Sequence, residues 1–215
     1  MLINEMVTGF IAIIIAYLLG SIPAAYIVTR LATGQDIRKL GSGNVGGNNV
    51  YRHIGLKAAI PVAIFDVGKG TAAVAIAHWL LRAPLYEPNI WVLLAGVAVI
   101  AGHMWSVYLK FTGGNGLSAT IGALIIIMPW ELLIVIALLL VLMVITHNLV
   151  LSVNIGLLSV PISAWFLERE MLYVGFGLIV MVMLVLNFVP QIRADLARTG
   201  GVPKLVNEFL RRGKH

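Results

Sequence analysis

Residues 8–29, TGFIAIIIAYLLGSIPAAYIVT, form an apolar run long enough to cross a lipid bilayer. A membrane-spanning helix needs about 20 such residues, because each residue adds about 1.5 Å along the helix axis. The segment GSIP at residues 20–23 interrupts this run. Pro23 lacks a backbone N–H group and its ring clashes with the carbonyl group four residues earlier, so the segment predicts a proline kink or a break. A break inside a membrane is tolerated only where protein buries it or where it lines a cavity.

The composition of the whole chain also predicts a membrane protein. Hydrophobic residues make up 60% of its 215 residues and charged residues only 11%, whereas soluble domains average about 25% charged residues. The mean hydropathy is +0.98. We therefore expect an all-α, polytopic membrane protein that forms a single domain over residues 1–215. The first apolar run lacks a basic segment before it, so we expect it to remain as a span and not to be cleaved as a signal peptide.

The residues that most often bind metals are absent or scattered. The chain has no cysteine, which excludes disulfides and cysteine metal sites, and its five histidines never occur at the spacing of a ligand pair. We expect neither a metal site nor a cofactor.

Hydropathy predicts six clear spans and one doubtful one. The clear spans are residues 8–29, 57–81, 88–109, 131–147, 150–168 and 171–189. A shorter apolar run at residues 116–128 precedes Pro129, which is expected to break the helix there. This run could be a tilted seventh span or a re-entrant segment, and we favour about seven transmembrane helices.

The distribution of charge supports seven spans with the N-terminus outside. In that topology Arg82 and Arg169 are the basic residues of the outer segments, and the other loop and tail cations are cytoplasmic. This is the positive-inside pattern. It accounts for the net charge of +6 without a nucleic-acid partner. The basic tail, residues 190–215, is expected to be cytoplasmic and could lie along anionic head groups as a short helix.

A bare polar segment, LGSGNVGGNNVYRHIG at residues 40–55, follows the first span. Its glycines allow backbone N–H groups to converge on an anion, and Arg38 and Arg52 at its flanks suit bidentate contact with phosphate. Within it, GxGxxG at residues 41–46 does not indicate a dinucleotide site, because that fingerprint follows an apolar strand. The alternative is a flexible loop whose arginines merely follow the positive-inside rule.

Two further polar segments fall near predicted cytoplasmic span ends. Asp66 and Lys69, three residues apart on one helix face, are expected to pair; they could be a structural pair or could place Lys69 near a substrate. The segment GHMWSVYLKFTGGNG at residues 102–116 contains His103 and Lys110. A lone histidine is more often structural than catalytic. A weaker polar segment at residues 146–154 carries Ser152. Together these segments predict a phosphate-binding site at the membrane surface, where a phosphorylated head group and an acyl chain could meet.

Several motifs resemble those of the PlsY family, the bacterial acyl-phosphate-dependent glycerol-3-phosphate acyltransferases. In chain order they are GSIP at 20–23, DIRxxGSGNxG at 36–46, NVxR at 49–52, DxxKG at 66–70, GH at 102–103 and FxGGxG at 111–116. The resemblance implies transfer of a fatty acyl group from acyl phosphate to glycerol 3-phosphate, giving lysophosphatidic acid for phospholipid synthesis. It implies a multi-pass protein of the bacterial inner membrane, with an external N-terminus and a cytoplasmic C-terminus. The expected partners are the two substrates and membrane lipid, and the oligomeric state stays open.

The resemblance also implies roles for individual residues. The expected catalytic residues are His103, Ser152 and Lys69, with Asp66 supporting the site. Arg38 and Arg52 would neutralise phosphate charge, and Asn49 would orient the loop. The remaining expected substrate-binding and phosphate-binding residues are Ser21, Ser42, Gly43, Asn44, Gly46, Lys110, Gly113, Gly114 and Asn115.

The chain also departs from the family pattern. The family has GGKG where Asn115 stands third in GGNG at residues 113–116, and a neutral amide cannot replace the charge of that lysine. Other departures lie at Asn48, His147-Asn148, Phe188 and Gln191-Ile192. Acyl transfer from acyl phosphate needs the charge on the departing phosphate to be neutralised. A non-catalytic or altered-substrate paralogue is therefore the alternative function, and a small transporter is a third.

Overall fold

The computed structural model describes residues 2–147 and 149–199, with side chains for residues 4–147 and 152–189. Within these residues the regular structure is helical, apart from an isolated bridge between Ser106 and Thr112. Short 3₁₀ turns lie at Ile37–Lys39 and Val107–Leu109. The α-helices are α1 (Leu2–Ser21), α2 (Ala24–Thr33), α3 (Gly47–His53), α4 (Leu56–Leu81), α5 (Ile90–Met104), α6 (Leu117–Ile127), α7 (Pro129–Thr146), α8 (Leu149–Leu158), α9 (Val160–Leu167) and α10 (Met171–Thr199).

The chain divides into two compact units. The first, Met1–Met128, contains α1 to α6, and the second, Pro129–His215, contains α7 to α10. In the first unit α1 packs against α5 and α4 packs against α6, while in the second α7 packs against α8 and α9 against α10. The expectation of a single domain over the whole chain stays a prediction.

The apolar segments confirm the all-α, polytopic membrane class. Four segments are long and apolar enough to cross a bilayer, namely Asn4–Thr33, Leu56–Leu81, Pro129–Thr146 and Met171–Val189. Three shorter apolar helices are Ile90–Met104, Leu117–Ile127 and Ser152–Leu167. These seven segments follow the order of the seven predicted from hydropathy. The number that actually cross the membrane stays a prediction.

Three predicted boundaries differ from the structure. The span expected at 88–109 ends as a helix at Met104, because the chain then turns into the 3₁₀ segment Val107–Leu109. The span expected at 150–168 is interrupted at Ser159, between α8 and α9. Helix α10 continues beyond the predicted end at 189 to Thr199, so the first part of the predicted tail extends this helix. Residues 200–215 lie outside the described residues.

Pro23 breaks the first span completely. Helix α1 ends at Ser21 and α2 begins at Ala24, with the Ala24 amide donating to the carbonyl group of Ile22 at 3.2 Å. The structure therefore favours the predicted break over a simple kink. Helix α2 ends at Thr33, and its cap residue, Gly34, adopts a left-handed φ of 70°.

Glycines allow the helices of the first unit to pack with their backbones in contact. A Cβ atom on Gly102 in α5 would overlap the backbone of Tyr17 and Ser21 in α1. A Cβ atom on Gly70 in α4 would likewise overlap the carbonyl group of Ala119 in α6. Small residues permit such close approach in membrane helix pairs, where packing and not the hydrophobic effect drives association.

An apolar cluster holds the polar loop against the helices. Ile37 of the first 3₁₀ turn, Val50 of α3 and Val62 of α4 are completely buried in this cluster. The same cluster receives Leu109 from the second 3₁₀ turn. Both polar segments of the first unit are therefore anchored by apolar side chains at their base.

The contact between α4 and α6 yields a test with a control in the same helix. Gly70→Ala should lower the melting temperature, because the added methyl group has no space and overpacking costs about 1–3 kcal/mol. Gly68→Ala should not lower it, because no atom lies within 4 Å of its added Cβ and alanine favours the helix over glycine by about 1 kcal/mol. Thermal unfolding of the purified variants in one detergent measures both. Equal melting temperatures for the two variants would refute the close α4–α6 contact.

Candidate functional site

Two side chains from other elements donate hydrogen bonds to the backbone at the break between α1 and α2. In an uninterrupted helix, the carbonyl groups of Ser21 and Ile22 would accept hydrogen bonds from amides four residues later. Instead, Lys69 Nζ in α4 donates to the Ile22 carbonyl oxygen at 3.0 Å. Ser106 Oγ, just beyond α5, donates to the Ser21 carbonyl oxygen. Ser21 Oγ is itself fully buried beside this break and has no partner in the described part of the chain.

Lys69 is held in a buried ion pair, as its spacing from Asp66 predicted. Lys69 Nζ lies 2.8 Å from Asp66 Oδ1, and both side chains are only 2% exposed. His103 Nδ1 lies 3.5 Å from the same carboxylate oxygen. Lys69 thus has two partners within the protein, which favours the structural alternative for this residue. Its direct role in catalysis stays a prediction.

His103 connects the ion pair to the glycine turn that follows α5. The Gly114 amide donates to the His103 carbonyl oxygen at 2.9 Å. A Cβ atom on Gly114 would overlap Nε2 of the imidazole, and one on Gly113 would overlap the His103 carbonyl group. The imidazole therefore lies with Nδ1 toward Asp66 and Nε2 against the turn. Only glycine permits this approach at either position.

The glycine turn docks directly on the polar loop. The Val45 amide donates to the Gly113 carbonyl oxygen at 3.2 Å. The loop bends at Gly41 and Gly43, whose φ angles are 54° and 72°. These left-handed values explain why glycine occupies both positions. The sequence motifs at residues 41–46 and 113–116 are thus in direct contact.

Asn49 fixes the shape of the loop from beneath. It is almost fully buried, and its Nδ2 atom lies 3.0 Å from the Leu40 and Asn44 carbonyl oxygens and 3.4 Å from that of Ile37. This geometry agrees with the expected role of orienting the loop. The Asn49 side-chain nitrogen donates to carbonyl oxygens of the loop itself. A direct contact between Asn49 and substrate stays a prediction.

The loop presents small polar groups at its rim. The Asn44 amide donates to Ser42 Oγ at 3.4 Å, and Ser42 is exposed. Gly46 precedes α3 and its carbonyl oxygen accepts from the amides of Asn49 and Val50. Phosphate binding by Ser42, Gly43, Asn44 and Gly46 stays a prediction.

Exposed cations lie close in the chain to both motifs. Arg38, Arg52 and Lys110 are exposed, and Lys110 adopts a left-handed φ of 56° in the turn after α5. Arg38 forms a bidentate pair with Asp36, through Nε at 3.0 Å and Nη2 at 2.7 Å. The hydrogen bond from the Arg38 side chain holds the pKa of Asp36 below its usual value. Asn115 is half-buried and directly precedes Gly116, the cap of α6.

Ser152 lies in the second unit, separate from these residues in the chain. It is fully buried, and its Oγ atom lies 3.0 Å from Thr146 Oγ1. His147, between them, adopts a left-handed φ of 50°. Asn148 lies outside the described residues, as do the side chains of Gln191 and Ile192.

Sequence reasoning missed the contributions of Ser106 and Tyr17. Ser106 caps the carbonyl group of Ser21, 85 residues away in the chain. Tyr17 Oη donates to the carbonyl oxygen of Trp105 at 2.8 Å, which fixes the same turn from α1. A serine three residues after His103, in an otherwise apolar segment, was the available signal for this contact.

Comparison with known proteins decides the family. A family model described as glycerol-3-phosphate acyltransferase matches residues 10–198. The chain belongs to the glycerol-3-phosphate acyltransferase family. One member, glycerol-3-phosphate acyltransferase 1 of Dehalococcoides mccartyi, is 37% identical over 190 residues, covering 86% of this chain and 89% of the relative. A glycerol-3-phosphate acyltransferase of Thermoanaerobacter sp. is also 37% identical, over 187 residues covering 86% of this chain and 91% of the relative.

The fold is that of a solved member of the same family. The crystal structure of PlsY (YgiH), an integral membrane glycerol 3-phosphate acyltransferase in its glycerol 3-phosphate form, has a TM-score of 0.79 to this chain at 25% identity. The match covers 88% of this chain and 92% of PlsY. The lysophosphatidic acid form of PlsY has a TM-score of 0.76 at 23% identity and supports the fold alone.

In this member of the acyltransferase family, the buried ion pair should be essential for stability. Lys69→Met should lower the free energy of unfolding by about 3–5 kcal/mol, because it leaves the Asp66 carboxylate buried without its cation. Lys57→Met is the matched control, since Lys57 is an exposed lysine in the first turn of the same helix. Thermal unfolding in detergent measures both. A Lys69→Met protein as stable as the Lys57→Met protein would contradict this account of the pair.

Proposed function

We propose that this chain transfers a fatty acyl group from acyl phosphate to glycerol 3-phosphate, forming lysophosphatidic acid and inorganic phosphate. The family match over residues 10–198 supports the acceptor and the reaction class. The observation that carries the assignment is the docking of the loop at 41–46 on the turn at 113–116 through Val45 and Gly113. This docking brings two glycine-rich segments together, and the exposed cations Arg38, Arg52 and Lys110 lie close to them in the chain, which supports a phosphate-binding role.

The reaction needs positioning and charge neutralisation more than covalent catalysis. A hydroxyl oxygen of glycerol 3-phosphate attacks the acyl carbonyl carbon and forms the ester bond. The bond between that carbon and the phosphate oxygen then breaks, and phosphate leaves with the bonding electrons. Acyl phosphate is already an activated anhydride, so correct placement of the two substrates supplies much of the rate. Cations beside the departing phosphate stabilise its growing charge.

His103 is the proposed acceptor of the hydroxyl proton. Asp66 Oδ1, 3.5 Å from Nδ1, would hold the imidazole with Nε2 toward the glycine turn. Lys69 would act indirectly by holding the α1–α2 break beside Ser21 and by pairing with Asp66. The proposed catalytic role of Ser152 rests on the family resemblance.

The membrane placement follows from charge and from the two substrates. We place the N-terminus outside and the C-terminus in the cytoplasm of a bacterial inner membrane, because the loop and tail cations then obey the positive-inside rule. Glycerol 3-phosphate would reach the loop surface from water. Acyl phosphate would arrive with its chain in the bilayer and its phosphate at the same surface.

Arg52 provides the first test of the proposed function. Purified protein in lipid, given palmitoyl phosphate and glycerol 3-phosphate, should form lysophosphatidic acid, as measured by mass spectrometry. Arg52→Ala should reduce kcat/KM by at least about tenfold, because hydrogen bonds to charged groups contribute roughly 1.5–3 kcal/mol. Lys57→Ala removes a nearby exposed cation outside the proposed site and should retain activity. A folded protein that forms no product while a known family member does so would reject the function.

Asn115 supports one second candidate, a non-catalytic or altered-substrate paralogue. The family lysine would have added a cation beside the cap of α6, and a neutral half-buried amide stands there instead. Lys110, exposed in the preceding turn, is the proposed substitute.

Restoring the family residue separates the two candidates. Asn115→Lys should raise kcat/KM severalfold if the chain is a working acyltransferase, because it adds charge where phosphate departs. Asn115→Gln has similar length without charge and should give no gain. The same kinetic assay measures both variants. If the chain forms no lysophosphatidic acid even with Asn115→Lys, the non-catalytic or altered-substrate paralogue is favoured.

A further inference from the structure

The guanidinium group of Arg38 is held along one edge. Asp36 Oδ1 and Oδ2 accept from Arg38 Nε and Nη2 at 3.0 and 2.7 Å. Asp36 is itself fixed, because its side chain caps the 3₁₀ turn by accepting from the Arg38 backbone amide at 3.0 Å. The neighbouring Ile37 is completely buried in the apolar cluster. The edge of the guanidinium is therefore tied to a rigid turn.

The same guanidinium also lies over an aromatic ring. Arg38 Cζ is 5.3 Å from the centroid of the Tyr26 ring, within the range of a cation–π contact. Tyr26 is half-buried in α2, three residues after Pro23, and packs on the cluster that contains Ile37. Contacts along one edge and one face together fix the plane of the group.

These contacts leave a defined set of donors free. A guanidinium carries five N–H donors, and Asp36 uses the Nε donor and one of the two on Nη2. The outer edge, formed by Nη1 and the second Nη2 hydrogen, has no hydrogen-bond partner among the described residues. The Arg38 side chain remains 36% exposed, so a ligand can reach it. Two parallel N–H groups on such an edge match two oxygens of a phosphate.

We propose that Tyr26 is a positioning residue for substrate binding, and that its ring holds Arg38 so that the outer guanidinium edge meets a substrate phosphate group. This inference rests on the proposed function, in which Arg38 contacts phosphate. Tyr26 itself touches no substrate and acts through Arg38. Asp36 offsets part of the charge of Arg38, so orientation matters more at this residue than at a free surface cation.

A double-mutant cycle tests the coupling between Tyr26 and Arg38. The four proteins are the wild type, Tyr26→Leu, Arg38→Ala and the double variant, assayed for kcat/KM with each phosphate substrate. Tyr26→Leu should lower kcat/KM roughly two- to fivefold in the wild-type background, the effect of one exposed cation–π contact. It should have no effect in the Arg38→Ala background, because the group that it positions is gone. Tyr26→Phe keeps the ring and should retain wild-type kinetics.

The cycle distinguishes positioning from simple packing. An equal fall caused by Tyr26→Leu in both backgrounds would overturn the proposal, since Tyr26 would then act independently of Arg38. An unchanged kcat/KM in the wild-type background would also overturn it. If Arg38→Ala has no measurable activity, the same four proteins are compared by calorimetric titration with glycerol 3-phosphate, and the same pattern in Kd is required.

Failure of the proposed function gives a different result from failure of this inference. If the wild type forms no lysophosphatidic acid, the function is rejected, and inorganic phosphate replaces glycerol 3-phosphate as the titrant. Binding that weakens with Tyr26→Leu only when Arg38 is present would still support the positioning role. No binding of phosphate by the wild type would reject that role as well.

Discussion

The hydrogen bonds to the carbonyl groups of Ser21 and Ile22 are the constraint on which the first unit depends. The break at Pro23 separates these carbonyl groups from the amides four residues later, inside an apolar segment where unsatisfied backbone groups are costly. Lys69 from α4 and Ser106 from beyond α5 supply the missing donors. Burial of Lys69 in turn requires Asp66, and the same carboxylate lies close to His103. The interruption of the first span therefore brings together polar groups from α4, from α5 and from the turn after α5.

Backbone contact between helices makes the hydrogen bond from Ser106 possible. Serine has a single side-chain carbon, so Ser106 reaches the Ser21 carbonyl only if its segment lies very close to the end of α1. Gly102 allows that approach, because its Cα packs on the backbone of Tyr17 and Ser21. If larger side chains separated the helices, the donor side chain would have to be longer. A longer side chain has more rotamers and loses more conformational entropy when it is ordered, so it would hold the turn less firmly.

The sequence predicted the features that depend on local chemistry and missed those that depend on distant partners. The pairing of Asp66 with Lys69 follows from helical spacing and was predicted correctly. Proline geometry predicted an interruption at Pro23 but left a kink and a break open, and the structure shows the break. Hydropathy overestimated the third predicted span, because the residues after Met104 are apolar yet form a 3₁₀ turn held by Ser106. The contact between Tyr26 and Arg38 was missed for the same reason, since the two residues meet only once α2 packs against the first 3₁₀ turn.

The close packing around Gly113 and Gly114 limits which substitutions the turn at residues 113–116 can accept. A side chain at either position would collide with the backbone or the imidazole at His103, so both positions are closed to any residue larger than glycine. Mutation can therefore alter the charge of this turn only at its flanks, at the exposed Thr112 or the half-buried Asn115. The departure from the family pattern within this turn, Asn115, occurs at one of these two open positions. The geometry of the turn therefore confines substitutions to positions where the charge can change while the backbone stays in place.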